Sequence, residues 1–329
     1  FQTISACSST AKRRISCSRR SLIRCAKKRP SRMPPVHRRP LGSQQLQRLK
    51  LLLQLPRKTL GVDVARLVGA PCGSAPARAS HSSQLRNACE RKTMFEELDY
   101  QKTELGELIL QRRSAVEVDG RDVFEVKLND EYLMSSLFVD GEVALTELGL
   151  AALRGSDWDV VVGGLGLGYT AAAALASDAL SRLTVVEALA PVIDWHRREL
   201  VPNGALLSND ARCQYLHADF FALARGDGFD PAHAGHLFDA ILLDIDHTPD
   251  ALLNPSHADF YSLTGLTRLR GFIKPGGVFA LWSNEEPDAP FLDMLRRVFD
   301  EAEGHVVRFE NPVQGGTATN GVYVARVLA

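Results

Sequence analysis

Acidic residues are almost missing from the first 93 positions of this 329-residue chain: only Asp63 and Glu90 stand there, against 21 Lys and Arg. Residues 94–329 hold 37 acids and 18 Lys and Arg, so the overall neutrality conceals a +19 segment followed by a −19 segment. Cysteine is scarce where acids are plentiful. Cys7, Cys17, Cys25, Cys72 and Cys89 fall in the basic segment and Cys213 stands alone after it, which excludes a disulfide framework for the acidic part and fits a reducing compartment. No apolar run approaches the roughly 20 residues needed to span a bilayer, so no membrane partner is expected. Aromatics interleaved with the basic residues are missing too, and with them the stacking platform of a nucleic-acid binder.

Residues 1–93 show little sustained period and are rich in Arg, Ser and Pro. Three readings stay open: an untranslated or artefactual leader, an organellar transit segment, and a polybasic tail. Residues 46–55 could form a short basic amphipathic helix. The chain opens on Phe1, and Met94, where the acidic sequence begins, is the expected natural start. Such a leader buries too little apolar surface to offset roughly 1–2 kcal/mol of backbone entropy per ordered residue, so it is expected to be dispensable for folding. The expected location is the cytoplasm, or an organelle if the leader is a transit segment.

Three segments follow: a basic leader over 1–93, a small β-strand domain over 94–143, and a nucleoside-binding domain over 144–329. In the second, residues 106–112 alternate, and 115–118 and 123–128 flank Asp119-Gly120-Arg121-Asp122, a hairpin signal. A turn at Asn129-Asp130 and a strand over 133–139, closed by Asp140-Gly141, complete an antiparallel sheet of about four strands. A helix is expected over 144–154.

The third segment is organised around Val160, Val161 and Val162, which read as a strand buried on both faces. Gly163, Gly164, Gly166 and Gly168 follow at once, then an Ala-rich helical run. Strand, glycine turn and helix open a nucleotide-binding unit, because glycines let the backbone approach a ligand and helix N-termini favour polar or anionic groups. A second strand over 183–187 ends at Glu187, 19 residues after Gly168, where an acid can accept both hydroxyls of a ribose. Further on, helices are expected over 191–200, 220–225, 256–273 (ended by residues 274–277) and 289–302. Strands are expected over 213–217, 238–244, 278–282, 305–309 and 322–327. This alternation argues an α/β fold with a doubly wound parallel sheet, its last strand pair bringing one antiparallel strand.

Ligands of such sheets sit outside the carboxyl ends of the strands. There the chain offers the four glycines, Glu187, Asp219 as an acceptor for an adenine amino group, and Asp244, Asp246, His247 and Asp250. No Gly-Lys-Ser/Thr follows the glycines, so a nucleoside without a phosphate chain, such as S-adenosylmethionine, fits better than a triphosphate. Asp244, at the end of a buried strand, is the expected catalytic acid, with Asp246 beside it. Asp250 is expected to be a cap. His217, His233, His236 and His257 are expected at the surface or in caps, and Trp195 and Tyr215 in packing. No His/Cys cluster accompanies Asp246 and His247, so no metal is expected.

With these residues placed, 106–327 resembles the spermidine synthase (polyamine aminopropyltransferase) family. The resemblance rests on Phe138-Val139-Asp140-Gly141, the glycine turn, Glu187, Asp219, the strand ending at Asp244, and Lys274-Pro275-Gly276-Gly277. It implies a methyltransferase-like Rossmann domain after a small N-terminal β-domain, within the S-adenosylmethionine-dependent methyltransferase superfamily. It implies decarboxylated S-adenosylmethionine or S-adenosylmethionine as co-substrate, aminopropyl transfer to an amine in polyamine biosynthesis, and a homodimer or homotetramer. Glu187 would bind the ribose, Asp219 the adenine side, and Asp244 would accept the amine proton. The chain departs from the family at Ala144, where Gln is usual, and at Gly149-Leu150, where acids stand. His247, or Asp246 by displacement, replaces a second acid. Methyl transfer and a non-catalytic binding role therefore stay open beside aminopropyl transfer. The acidic character of the domain suits a cationic small-molecule acceptor.

Overall fold

The structure, a computed structural model, describes residues 95–115, 118–129 and 131–329. The basic leader, its expected helix at 46–55 and Met94 lie outside the described residues, as does Asp130 of the expected turn.

Four strands form the first sheet in the order β1-β2-β3-β4: β1 (Phe95–Thr103), β2 (Gly106–Ala115), β3 (Arg121–Leu128) and β4 (Glu131–Ser135). All pairings are antiparallel. Asp119 and Gly120 turn the β2–β3 hairpin with successive positive φ values of 57° and 75°, as a tight hairpin of this right-handed twist requires. The strand count was legible, its composition less so. The expected strand 106–112 runs on to Ala115, absorbing the start of the 115–118 strand. β1 was not expected, because its sequence FEELDYQKT is mostly exposed and carries no apolar period. Among the described residues it pairs only with β2.

Seven strands form the second sheet in the order β10-β11-β9-β8-β5-β6-β7: β5 (Trp158–Gly163), β6 (Leu180–Glu187), β7 (Cys213–His217), β8 (Phe238–Leu243), β9 (Ile273–Ser283), β10 (Glu301–Glu310) and β11 (Thr317–Arg326). β5 pairs in parallel with β6 on one side and β8 on the other. The chain reverses its direction of travel across the sheet between these neighbours, and the switch point lies at the carboxyl ends of β5 and β8. β11 is antiparallel to both β9 and β10. This is the expected α/β architecture, a methyltransferase-like Rossmann sheet with a small antiparallel sheet before it.

The three valines of β5 are fully buried. Val160 and Val162 join the core on one face of the sheet, and Val161 joins the phenylalanine-rich core on the other. Leu108, Leu110 and Val126 of the small sheet belong to the first of these cores. The small sheet therefore buries its apolar face against the large one.

The helices are α1 (Asp140–Ala151), α2 (Tyr169–Leu175), α3 (Ala190–Arg197), α4 (Gly204–Asn209), α5 (Phe220–Arg225), α6 (Leu263–Arg270) and α7 (Ala289–Val298). α1 starts four residues before the expected helix. Asp140 and Gly141 are its first residues, not a strand-closing turn, and Asp140 and Glu142 lie in a first turn whose dipole favours acids. The expected helix 256–273 divides into a 3₁₀ turn (Pro255–Asp259) and α6, because the Ser262 hydroxyl accepts the Gly265 N–H and starts a new helix. Residues 274–277 belong to β9 instead of following a helix. No helix among the described residues is long and apolar enough to cross a membrane.

Candidate functional site

Gly163 ends β5, and residues 164–168 turn the chain into α2. Gly164 has φ +94°, and a Cβ there would lie 2.1 Å from the Asp244 carbonyl oxygen. Gly168 caps α2 at φ +86°, with no room for a Cβ beside His196 and Leu207. Three side chains pin the turn between these glycines. Glu187 accepts the Leu165 N–H through Oε2 at 3.0 Å, His196 Nε2 donates to the Gly166 carbonyl at 3.0 Å, and Asn203 Nδ2 donates to the Leu167 carbonyl at 3.0 Å. The Gly168 N–H closes the turn on the Leu165 carbonyl at 2.8 Å.

A cavity of about 1720 Å³ opens over this turn. Its wall brings together Gly164, Gly166, Gly168, Glu187, Asp219 and Asp244; Gly163 lies behind them under Phe220. Glu187 Oε1 also accepts the Leu189 N–H at 2.8 Å. Burial pushes its pKa up, and these backbone donors pull it back. Asp219 caps α5, its Oδ1 taking the N–H groups of Phe221 and Ala222. Asp244 follows β8, and its N–H donates to the Gly163 carbonyl at 2.8 Å, which ties the two strand ends together. The Thr170 hydroxyl donates to Asp244 Oδ2 at 2.7 Å. Burial raises the Asp244 pKa, and that hydroxyl opposes the rise.

Asp246 is not brought to the cavity. Its side chain is buried, accepting from the Leu253 N–H at 2.7 Å, His257 Nδ1 at 2.9 Å and the Tyr261 hydroxyl at 3.0 Å. A carboxylate with both oxygens held this way anchors the 245–261 loop. His257 is accordingly a packed residue, stacked on Phe221 at 3.8 Å between ring centroids, and not a surface one. Trp195 is fully buried, as expected of a packing residue, and its indole N–H bonds Asp99 of β1 at 2.6 Å. Burial also lowers the His247 pKa. Among the described residues, no group of three or more His, Cys, Asp or Glu could hold a metal ion.

Sequence reasoning missed Glu142. It lies in the first turn of α1 and lines the same cavity as Asp244. Burial, and then the charge of Asp244, push its pKa up. One turn further, Thr146 Oγ1 donates to the Thr170 carbonyl at 2.9 Å, which joins α1 to the residue that holds Asp244. The available signal was an acid four residues before a threonine on one helical face, hidden by the misplaced start of α1. Trp282, Glu285 and Glu286, where the sequence ends its fifth strand and could line an acceptor side, do line the cavity; the buried indole N–H of Trp282 has no partner, and Gly141 packs against it with no room for a Cβ. The cavity wall carries seven carboxylates (Glu104, Glu142, Glu187, Asp219, Asp244, Glu285, Glu286) and Lys102 as its one Lys or Arg among the described residues.

No protein-family model matches this chain, and no curated protein matches it in sequence. Solved structures do match. The chain is similar to a spermidine synthase solved in complex with the transition state analogue AdoDATO, at TM-score 0.53 and 15% identity over 70% of this chain and 73% of that one. It is similar to the spermidine synthase from Thermotoga maritima at TM-score 0.52 and 14% identity, over 70% and 72% of the two chains. Human methyltransferase-like protein 13, in complex with SAH, aligns at TM-score 0.42 and 19% identity over 57% and 82%. At such identities the likeness to the two synthases shows the fold alone.

Proposed function

We propose that this chain is a transferase that binds an adenosyl sulfonium donor, decarboxylated S-adenosylmethionine or S-adenosylmethionine, and passes an aminopropyl or other alkyl group to an amine-type acceptor. The carrying observation is the convergence, in one acidic cavity at the switch point, of a pinned glycine turn, Glu187, Asp219 and the raised-pKa carboxyl of Asp244. The solved spermidine synthase that shares the fold holds AdoDATO, an analogue of such a transition state. On this reading the donor lies over residues 164–168, its ribose beside Glu187 and its adenine amino group on Asp219 Oδ2. Asp244 takes a proton from the acceptor ammonium. The neutral nitrogen then attacks the carbon beside sulfur, the C–N bond forms as the C–S bond breaks, and sulfur leaves with the electron pair as a neutral thioether. Holding donor and acceptor in line supplies much of the rate, and a carboxyl titrating nearer neutrality suits a general base. The wall's acids attract a cationic acceptor.

A non-catalytic binding role is the second reading, favoured by one observation. Gly149 and Leu150, where the resembling family has acids, are buried in α1 and contribute nothing to the cavity wall. Calorimetry with S-adenosylmethionine, its decarboxylated form and methylthioadenosine tests the proposal. Micromolar binding of at least one is expected, with the decarboxylated donor preferred if the group is aminopropyl; binding of none sinks it. Turnover on an amine panel, reduced at least a hundredfold by Asp244→Asn with donor affinity retained, decides against the binding-only role.

A further inference from the structure

Building on the donor reading above, we propose that Glu142 is a second carboxylate of the acceptor subsite, facing the same reacting nitrogen as Asp244. Three observations place it there. Glu142 and Asp244 line one cavity from opposite elements, the first turn of α1 and the end of β8. α1 is held in register with Asp244 through a two-step link: Thr146, one turn beyond Glu142, bonds the Thr170 backbone, and the Thr170 hydroxyl bonds Asp244. Residues at i and i+4 share a helical face, so the side of α1 that carries Glu142 is the side tied to Asp244. The entry to α1 is fixed as well, because Gly141 packs with no space for a Cβ against Trp282 and Asn320.

The electrostatics then ask for a cation. The charges acting on Glu142 are those of Asp244 and of Asp140 on its own helix, both negative, and Tyr169 of α2 is itself perturbed by Glu142. No cation reaches the Glu142 carboxyl group among the described residues. Two partly desolvated carboxyls without a counter-ion disfavour their own ionisation. An ammonium group brings one positive charge and three N–H donors, enough for both oxygens' demands. With Glu142 and Asp244 each accepting one N–H, the ammonium proton passes to Asp244. Glu142 keeps a second N–H, and the freed lone pair points at the carbon beside sulfur. One C–N bond forms, one C–S bond breaks, and no further reactant is needed.

Titrate the full chain, saturated with methylthioadenosine, with 1,3-diaminopropane. Glu142→Gln is expected to lower diamine affinity at least tenfold while methylthioadenosine affinity stays within twofold, and Glu142→Asp to recover part of the loss. Unchanged diamine affinity in the Gln variant overturns the role of Glu142 and leaves the donor reading standing. So does a wild-type chain that binds methylthioadenosine but no diamine. Equal loss of both ligands in the Gln variant overturns it too, marking Glu142 as a support of the fold. A wild-type chain that binds no methylthioadenosine removes the donor reading, and this inference with it.

Discussion

His196 shows how one residue outside the cavity prepares it. It is fully buried, and because a carbonyl can only accept, its proton sits on Nε2, facing Gly166. Nδ1 is left as a buried acceptor without a partner. Burial lowers its pKa from 6.5 to about 4. The unfolded imidazole gains a proton near pH 6.5 and the folded one does not. Its contribution is therefore fully present above pH 6.5 and is lost as pH falls towards 4. The limit is on the order of 3 kcal/mol at 1.36 kcal/mol per pKa unit. The lowered pKa of His247 acts in the same direction. The raised carboxyls Glu142, Asp244 and Glu187 act oppositely, gaining stability as pH falls through their folded values. Urea unfolding at pH 7 and pH 4.5 should show the wild type losing more stability than His196→Gln. Equal losses would show that His196 is not the group responsible.

At the scale of an element, Asp219 caps α5 and, on the proposed reading, would also hold the donor's adenine. The range of α5, Phe220–Arg225, matches the sequence expectation residue for residue, and Asp219 caps it through Oδ1 alone. Replacing a capping Asp by Ala costs about 1 kcal/mol, so Asp219→Ala should lower both stability and donor affinity. Asp219→Ser keeps a capping oxygen but lacks a second carboxylate oxygen for adenine. It should keep most of the stability, read by thermal melting, and still lose donor affinity, read by calorimetry. Retention of both in the Ser variant would reduce Asp219 to a cap. Two of the misjudged helices lack a capping side-chain bond. Val139 is the N-cap residue of α1 and makes no side-chain cap, so no Ser, Thr, Asp or Asn stands at that position. α4 is six residues long and follows Asn203 with no capping bond from its side chain.

At the scale of the whole molecule, the small sheet has one face in the common core and β1 and β4 at its two edges. β1 pairs with β2 alone among the described residues, and Phe95 and Tyr100 are exposed on it at 62% and 39%. An unpaired edge carrying apolar side chains is a template for a second copy. Light scattering at micromolar concentration should find a dimer or tetramer, and Phe95→Lys with Tyr100→Lys should shift it towards monomer. A wild-type chain that is strictly monomeric would contradict this assembly.

By itself the sequence determined the α/β class and the strand ends that carry the candidate residues. The valine run of β5, the glycine turn and the acids at 187, 219 and 244 are local signals, each readable from a strand's period and the residue that ends it. Only the tertiary structure decided which acids face the ligand space. Asp246 stands three residues after the end of β8 and Glu142 in the first turn of α1, and no local rule tells their directions apart. Packing does. Leu253, His257 and Tyr261 surround the Asp246 carboxylate and turn it inward, whereas the link from Thr146 through Thr170 to Asp244 turns the Glu142 side of α1 towards the cavity. Those partners lie between 7 and 74 residues away in the chain, a separation across which sequence periodicity carries no information.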